Sequence, residues 1–277
     1  MSVGGVVGLA TPINASGDTQ GLINTPSGSN GLDVCLKNCD NAGVVHNCGI
    51  NYSTTKQTNT KIFTGGLAGS LLGNESKYAE ISNCSNTGNV YTYDLIGESS
   101  SSRPGYSAVV GGLVGFGGYL DIQGTTVNCQ VGSGKRPVVA MAGVIGFAER
   151  PFNLTESKVY ITGYFQRFEG YKGNRAVVAV VPVRYGTKEA DAMGMVPNVN
   201  GSTITNCNLG GLVLSLADPL KKDTKEDVSG TLTVKLFNNA DKVYKEDGTV
   251  NNLVCGQGYT TVATDVTVTG ITYWNGK

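Results

Sequence analysis

Several short stretches of the chain place small or apolar residues at every second position, and each stretch begins at a cysteine. The clearest are residues 84–90 and 207–211, where cysteine, glycine and aliphatic residues recur with this spacing. A period of two residues is typical of a β-strand with one buried face. Residues 176–181 instead form a continuous apolar run, which is typical of a strand buried on both faces. The pattern predicts a chain built from many short strands.

Two short blocks recur along the chain. The first is a glycine block of the form Gly-Gly-apolar-apolar-Gly, with Ala as the first residue of its last copy, and its copies are residues 4–8, 65–69, 111–115 and 142–146. The second is an Asn-Cys block, and its copies contain Cys39, Cys84, Cys129 and Cys207, with Ser157 as a version in which serine replaces cysteine. Because a short strand cannot bury its apolar face alone, repeated copies must stack. We therefore predict an all-β fold, a parallel β-helix (solenoid).

Each residue type in these blocks has an expected structural role. The Asn before each cysteine suits a corner, because Asn tolerates the left-handed backbone region, and stacked Asn corners would form a hydrogen-bonded ladder. The cysteine is interpreted as a small hydrophobe that faces inward at one level of the core. Glycine lets the backbone turn or approach a neighbouring strand closely.

The repeat pattern weakens towards the end of the chain. We predict a repeat domain over residues 1–215 and a β-rich C-terminal cap over residues 216–277, because a stack of strands needs its open end covered. Trp274, the only Trp, ends the last Thr- and Val-rich strand region and is interpreted as a core residue of this cap.

Composition and charge exclude several classes of function. The 277 residues include 40 Gly, and charged residues make up only 15% against a typical value of about 25%. The 21 Lys and Arg balance 21 Asp and Glu, so we expect no nucleic-acid partner and no polybasic attachment to a membrane surface. No apolar run approaches the roughly 18 residues of a membrane span. No cofactor is expected.

Candidate catalytic and metal-binding residues are few. His46 is the only histidine, so histidine chemistry, whether a catalytic triad or a site with several histidines, is nearly excluded. Cys35, Cys39 and Cys48 lie near it, but their spacing matches no zinc motif, and packing of a core or turn is favoured over a metal site.

Carboxylates offer a second possible site, since a glycosidase needs two of them within several ångströms. The candidates that could meet on neighbouring repeats are Asp121, Glu149, Glu156 and Glu169. No acidic cluster recurs at the repeat spacing, so separate solvated carboxylates are favoured. We predict no catalytic residues and no metal ligands.

One segment combines aromatic and basic residues closely enough to suggest a binding site. Its candidate residues are Tyr164, Phe165, Arg167, Phe168 and Tyr171. Aromatic faces beside Arg can stack on sugar rings or anchor a protein partner. The alternative, which the residue types favour, is that the aromatic side chains pack a loop against the wall of strands.

The phrase Gly-Leu-apolar-Gly at Gly66–Gly69 and Gly112–Gly115, alternating with the Asn-Cys phrase, resembles the GLUG repeat of bacterial secreted and cell-surface proteins. The resemblance covers residues 1–211 in patches and implies an extracellular or cell-surface location. In adhesin-like proteins and immunoglobulin A peptidase-like proteins of this kind, the repeat resembles a stalk or scaffold and brings no catalytic residues.

Three functions are therefore open. The first is a non-catalytic surface module for adhesion or scaffolding, whose partners would be a host glycan, a host protein or other domains of a larger surface protein. The second is a polysaccharide-acting lyase or hydrolase on a β-helix, which rests on fold analogy alone. The third is an accessory domain of an immunoglobulin A peptidase-like protein. The poverty of catalytic residues favours the first.

Overall fold

The structure is a computed structural model that describes residues 2–10, 34–47, 58–92, 105–133, 140–166, 176–181, 198–216, 230–231, 243–244, 250–251 and 267–277. These residues form strands, turns and bends, and no helix occurs among them. The predicted all-β class is confirmed for this part of the chain. Most strands belong to four sheets, named A to D here, in which nearly all neighbouring strands run parallel.

The chain enters the sheets in one fixed order, A, B, C and then D, and one such sequence of strands is called a pass. The first pass consists of β1 (Ser2–Gly4), β2 (Val7–Ala10), β3 (Cys35–Lys37) and, in sheet D, β4 (Asp40–Asn41) and β5 (Val45–Asn47). The second consists of β6 (Thr58–Gly65), β7 (Ala68–Leu72), β8 (Ala79–Ser82) and, in sheet D, β9 (Ser85–Asn86) and β10 (Val90–Thr92). The third consists of β11 (Gly105–Gly111), β12 (Val114–Gly118), β13 (Leu120–Gln123) and β14 (Thr126–Ser133).

The fourth pass consists of β15 (Ala140–Ala142), β16 (Ile145–Ala148), β17 (Phe152–Thr155) and β18 (Lys158–Gln166). The fifth has β19 (Ala176–Val178) in sheet A, β20 (Thr203–Thr205) in sheet C and β21 (Asn208–Leu216) in sheet D. The remaining strands are β22 (Gly230–Thr231), β23 (Val243–Tyr244), β24 (Val250–Asn251), β25 (Thr267–Thr269) and β26 (Thr272–Tyr273). β22 pairs antiparallel with β21, and β23 pairs antiparallel with β24.

Equivalent strands of successive passes pair in register, and this builds columns of like residues. In sheet C one column consists of Leu36, Ile81, Ile122, Leu154 and Ile204, of which the last four are fully buried in the main core. The positions between them in β8, β13, β17 and β20 are half-buried or exposed. The predicted alternation of a two-residue period is confirmed in this sheet.

Sheet B differs, because every residue of β7, β12 and β16 is buried. Phe63 of sheet A and Phe116 and Phe147 of sheet B form a column of rings, with centroids 4.7 Å and 5.4 Å apart. All three rings are buried, yet they lie outside the main core cluster. Sheets A and B therefore carry a second apolar core, which the sequence analysis did not predict.

The glycine block lies at the bend between sheets A and B, and its last glycine packs against backbone. A Cβ atom on Gly115 would lie 2.6 Å from the Thr64 nitrogen and 2.6 Å from the Gly69 oxygen. A Cβ on Gly69 would lie 2.3 Å from the Val3 nitrogen. Both contacts are with the preceding pass, so glycine is required there because a side chain would collide with backbone.

The apolar run over residues 176–181 takes the place of a fifth glycine block. β19 pairs in register with β15, and the Val180 oxygen accepts hydrogen bonds from the backbone nitrogens of Val144 and Ile145. Ala179, Val180 and Val181 are buried, as a run of this kind predicts. At this bend the fifth pass therefore has apolar side chains, whereas the earlier passes have glycine.

The division at residues 215 and 216 stays a prediction, since most of residues 216–277 lies outside the described part. Within that region, β25 pairs in parallel with β20 and β26 pairs in parallel with β21. Sheets C and D therefore continue past the fifth pass.

Candidate functional site

The corner between sheets C and D recurs in every pass and has a left-handed backbone. The residues at this corner are Asn38, Asn83, Gly124, Glu156, Asn206 and Gly270, with φ angles between 50° and 65°. The predicted left-handed corner is confirmed at three Asn residues that precede a cysteine. The side-chain bond between Asn residues lies three positions further along, where Asn41 Nδ2 donates to Asn86 Oδ1 at 2.8 Å.

In the second to fifth passes the residue after the corner is buried and forms hydrogen bonds. Cys207 Sγ donates to the Thr205 oxygen at 3.2 Å, and Ser157 Oγ donates to the Thr155 oxygen at 2.8 Å. Ser157 Oγ also accepts a bond of 3.2 Å from the Thr125 nitrogen of the preceding pass. The expected replacement of cysteine by Ser157 is confirmed. The position selects a short side chain with a γ donor and acceptor, so its interpretation as a purely apolar position was incomplete.

Cys129 does not occupy this position, so its assignment to the repeat was wrong. The corner of the third pass is Gly124, and Thr125 takes the place of the cysteine, because Thr126 pairs with both Ser85 and Lys158. Asn128 and Cys129 lie within β14 instead. The Val-Asn-Cys phrase is thus shifted along the strand from its counterparts.

The buried cysteines provide packing and no reactive thiol. Burial raises the pKa of the Cys129 thiol to about 12. Loss of solvation on burial also raises the pKa of Cys84 and of Cys207. A nucleophilic cysteine needs a lowered pKa, and these thiols are shifted in the opposite direction.

The zinc candidates are spread over two sheets and the corner between them. Cys35 is exposed on β3, Cys39 is half-buried after the corner at Asn38, and His46 is exposed on β5. Cys48 lies outside the described residues. Across the described ranges, no group of three or more His, Cys, Asp and Glu residues lies close enough to hold a metal ion.

The carboxylate candidates lie at different places in the passes. Asp121 is exposed on sheet C, Glu149 follows β16, and Glu156 is at a corner between sheets C and D. The acidic neighbour of Asp121 in sheet C is Glu80, which the sequence analysis did not name.

Glu80 is held in an exposed ion pair. Its Oε2 lies 2.7 Å from Lys37 Nζ, and Ser82 donates to its Oε1. These hydrogen bonds, that of Lys37 first, lower the pKa of the Glu80 carboxyl. A general acid needs a raised pKa, so Glu80 is unsuited to protonating a glycosidic oxygen. Glu169 lies outside the described residues.

The outer face of sheet D carries aromatic and amide side chains. The residues directly before and after Tyr91 and Tyr160 in the sequence are buried. Because side chains alternate along a strand, the two tyrosine rings face away from the core. The Tyr91 hydroxyl donates to Gln130 Oε1 at 2.7 Å. Asn128 Nδ2 donates to the Gly276 oxygen at 2.9 Å.

Trp274 lies on this face as well, so its predicted role as a core residue was wrong. Its ring meets Tyr160 edge-on, with centroids 6.3 Å apart, and it is half-buried. Its backbone nitrogen donates to the Leu209 oxygen of β21. The C-terminal residues thus extend the aromatic surface of sheet D.

Two of the predicted binding residues lie in the same sheet. Tyr164 and Phe165 are near the end of β18, where Tyr164 pairs with Gly132 and Leu214. Gly132 pairs in turn with Tyr91, which places Tyr91 and Tyr164 two strands apart in one register row. Arg167, Phe168 and Tyr171 lie outside the described residues, so the complete binding segment stays a prediction. The alternation of apolar and polar positions along β10 and β18 is the sequence signal that could have identified Tyr91 and Tyr160 as outward-facing residues.

Comparison of the chain with models of protein families, with curated proteins and with solved structures finds no match. The resemblance to GLUG repeats therefore rests on the residues themselves. Among the described residues, no helix is long and apolar enough to cross a membrane.

Proposed function

We propose that this chain is a parallel β-solenoid of the GLUG-repeat type and acts as a non-catalytic surface module of a bacterial secreted or cell-surface protein. Its task would be to present the outer face of sheet D, together with the residues that follow β18, to a host glycan or a host protein. The observation that carries the proposal is the shared register row of Tyr91 and Tyr164; in the sequence, Arg167 follows the end of β18.

The order of the strands supports the solenoid. The first four passes repeat the sequence of sheets A, B, C and D, the described strands of the fifth follow the order A, C and D, and equivalent strands pair in parallel. In a solenoid each repeat contacts its neighbours along one axis, and this is the pattern of pairing that repeated sequence blocks favour.

The use of the repeated residues supports a scaffold. The last glycine of the glycine block packs on backbone, and the corner Asn and Cys residues serve backbone geometry and hydrogen bonding. The repeat therefore specifies a rigid support, and recognition would come from side chains that vary between passes, as on sheet D.

The aromatic side chains of sheet D support recognition. Tyr91, Tyr160 and Trp274 are partly exposed, and hydrogen bonds from the Tyr91 hydroxyl to Gln130 and from Trp274 Nε1 to the Lys277 oxygen hold two of these side chains at the surface. Tyr and Trp provide a large stacking area with one polar end, which suits sugar rings and protein hot spots.

A glycan array and a mucin-binding assay on the whole chain test this proposal. We expect binding that is lost in a triple variant, Tyr164→Ala, Arg167→Ala and Phe168→Ala, and weakened at least about tenfold by Tyr91→Ala. The matched control is Thr203→Ala with Thr205→Ala, which removes side chains from sheet C and should leave binding unchanged.

Equal loss of binding in the sheet C variant would contradict recognition through sheet D. Absence of binding by the unaltered chain would overturn the recognition part and leave a scaffold or stalk whose partners are other domains of a larger protein. Circular dichroism of each variant separates loss of binding from loss of fold.

A further inference from the structure

Among the described residues, the strands of the first pass form an edge of sheet A and of sheet B, with no strand paired on their outer side. β1 pairs only with β6, and β2 pairs only with β7, whereas β6 and β7 have a strand on each side. Val6 is 46% exposed, although the residues one and two passes further on, Leu67 and Leu113, are fully buried. Leu9 is 43% exposed and lies in the row of Phe116, which is buried.

The surroundings of Gly8 are a second, independent observation that this edge can accept a strand. It is the last glycine of its block, and its counterparts pack against backbone of the preceding pass. A Cβ on Gly69 or Gly115 would lie 2.3 Å or 2.6 Å from such backbone, but among the described residues a Cβ on Gly8 would meet nothing closer than the Ser2 oxygen at 3.3 Å. No described residue fills the space that glycine provides at Gly8.

The strands of this edge also lack the usual protection against pairing. Exposed edge strands are commonly blocked by charged side chains, by proline or by a bulge. Residues 2–10 contain no charged residue and no proline. Among the described residues no strand pairs with the outer side of β1 or β2, and this side, with its partly exposed apolar side chains, therefore suits the addition of another strand.

We propose that β1, β2 and Gly8 form a strand-acceptor site for an extended polypeptide that carries the block Gly-Gly-apolar-apolar-Gly. The segment would add to β1 and β2 in parallel, in the register that joins β6 and β7 to them. Its second glycine would lie over the Gly5 oxygen, as Gly5 itself lies over the Gly66 oxygen, where a Cβ would be 2.4 Å away. This site is separate from sheet D and does not depend on glycan or host-protein binding.

The chemistry of the incoming segment can be inferred from the interface that each later pass forms with the pass before it. Leu67, Leu113 and Val144 form a fully buried row that Val6 continues. A segment of the same block chemistry would bury Val6 and Leu9 and fill the space over Gly8. A partner without the first two glycines of the block would bring side chains into contact with backbone, because a Cβ on Gly65 or Gly66 lies 2.6 Å or 2.1 Å from backbone of the following pass.

The test uses the whole chain and a fluorescent peptide with the sequence of residues 61–72. We expect saturable one-to-one binding by fluorescence anisotropy, with slowed hydrogen exchange in residues 2–10. A peptide with Gly66→Ala should bind at least about tenfold more weakly, because its new Cβ would meet the Gly5 oxygen.

Matched variants of the chain locate the site. Gly8→Ala should weaken binding of the unaltered peptide at least about tenfold, since the methyl group would occupy the space of the incoming strand. Val6→Lys should have a similar effect and replaces Gly8→Ala as the test if that variant fails to fold. Val44→Lys is the control, because Val44 is 63% exposed and lies between β4 and β5, outside the proposed site.

Failure of the peptide to bind, equal binding of the Gly66→Ala peptide, or binding insensitive to both Gly8→Ala and Val6→Lys would overturn the proposal. So would a stable dimer of the chain, by light scattering, that the peptide does not dissociate, since the edge would then be occupied by a second copy. None of these outcomes bears on binding through sheet D.

Discussion

In sheet B every residue of β7, β12 and β16 is buried, whereas in sheet C each strand alternates between the core and the surface. The glycine block belongs to the first arrangement, and the Asn-Cys block belongs to the corner beyond the second. Glycine at the bend between sheets A and B serves close approach of two backbones, as at Gly115. Glycine at the corner between sheets C and D serves a left-handed backbone, as at Gly124.

The glycine block is constrained by steric contact between neighbouring strands, whereas the Asn-Cys block is constrained by the backbone conformation of the corner. Steric exclusion at the bend leaves no room for a side chain where a neighbouring pass lies against the glycine, as at Gly66 and Gly115. The corner requires a φ angle near 55°, which Gly and Asn adopt at little cost and other residues adopt at a cost of about 1–2 kcal/mol. We therefore expect substitutions at the bend to be more damaging than substitutions at the corner.

The largest effect is expected for Gly115→Val. Its Cβ alone would lie 2.6 Å from backbone atoms of Thr64 and Gly69, so the two strands would have to separate and open the apolar core around Phe116. We expect a loss of at least about 4 kcal/mol in the free energy of unfolding, measured by urea denaturation.

The matched control is Gly124→Asn at the corner, which should change the stability by less than about 1 kcal/mol, because Asn occupies the equivalent position in three other passes. Equal destabilisation by the two variants would remove the distinction between bend and corner.

A smaller effect is expected from the buried thiol of Cys129 at high pH. Its pKa is about 12 in the folded chain against an ordinary value of 9.0, so the folded state holds its proton more tightly than the unfolded state does. The resulting stability is complete below pH 9 and is lost as the pH rises towards 12. At pH 11 the loss should be about 3 kcal/mol.

The comparison protein is Cys129→Val, which has no titrating group at this position. Urea denaturation of both chains from pH 8 to pH 11 should show a steeper decline in the unaltered protein. Parallel curves would show that the thiol titrates at its ordinary pKa and that the inner face of sheet D is open to water.

The smallest effect, and the only stabilising one, is expected for Glu156→Gly. Glu156 is exposed, has a φ angle of 50° and forms no ion pair with another described residue. Removing the Cβ relieves the left-handed backbone and should raise the free energy of unfolding by about 0.5–1 kcal/mol. Thermal denaturation can measure this, with Glu75→Gly as an exposed control. If Glu156→Gly lowers the free energy of unfolding instead, the glutamate side chain stabilises the fold by more than its left-handed backbone destabilises it.

Part of the site was predictable and part was not. Asn38, Asn83 and Asn206 were identified as corners because the preference of Asn for the left-handed region is a local property. Cys129 was misassigned because the phrase Val-Asn-Cys resembles the block, and only pairing with β9 and β18 shows that Thr125 takes the repeated position. Trp274 was misplaced because a strand residue faces the core or the surface according to its register, which its own sequence does not reveal.

The sequence by itself determined the local elements of this protein: short strands of two-residue period, glycine bends and Asn corners. These follow from backbone preferences and from the burial of alternate side chains, and both act within a few residues. Only the tertiary structure decided which passes lie side by side, that Phe63, Phe116 and Phe147 form a second core, and that Tyr91 and Tyr164 share a row. The physical reason is that register between parallel strands depends on hydrogen bonds and packing between residues 31 to 64 positions apart, from Val109 with Ala140 to Thr203 with Thr267, which no local pattern specifies.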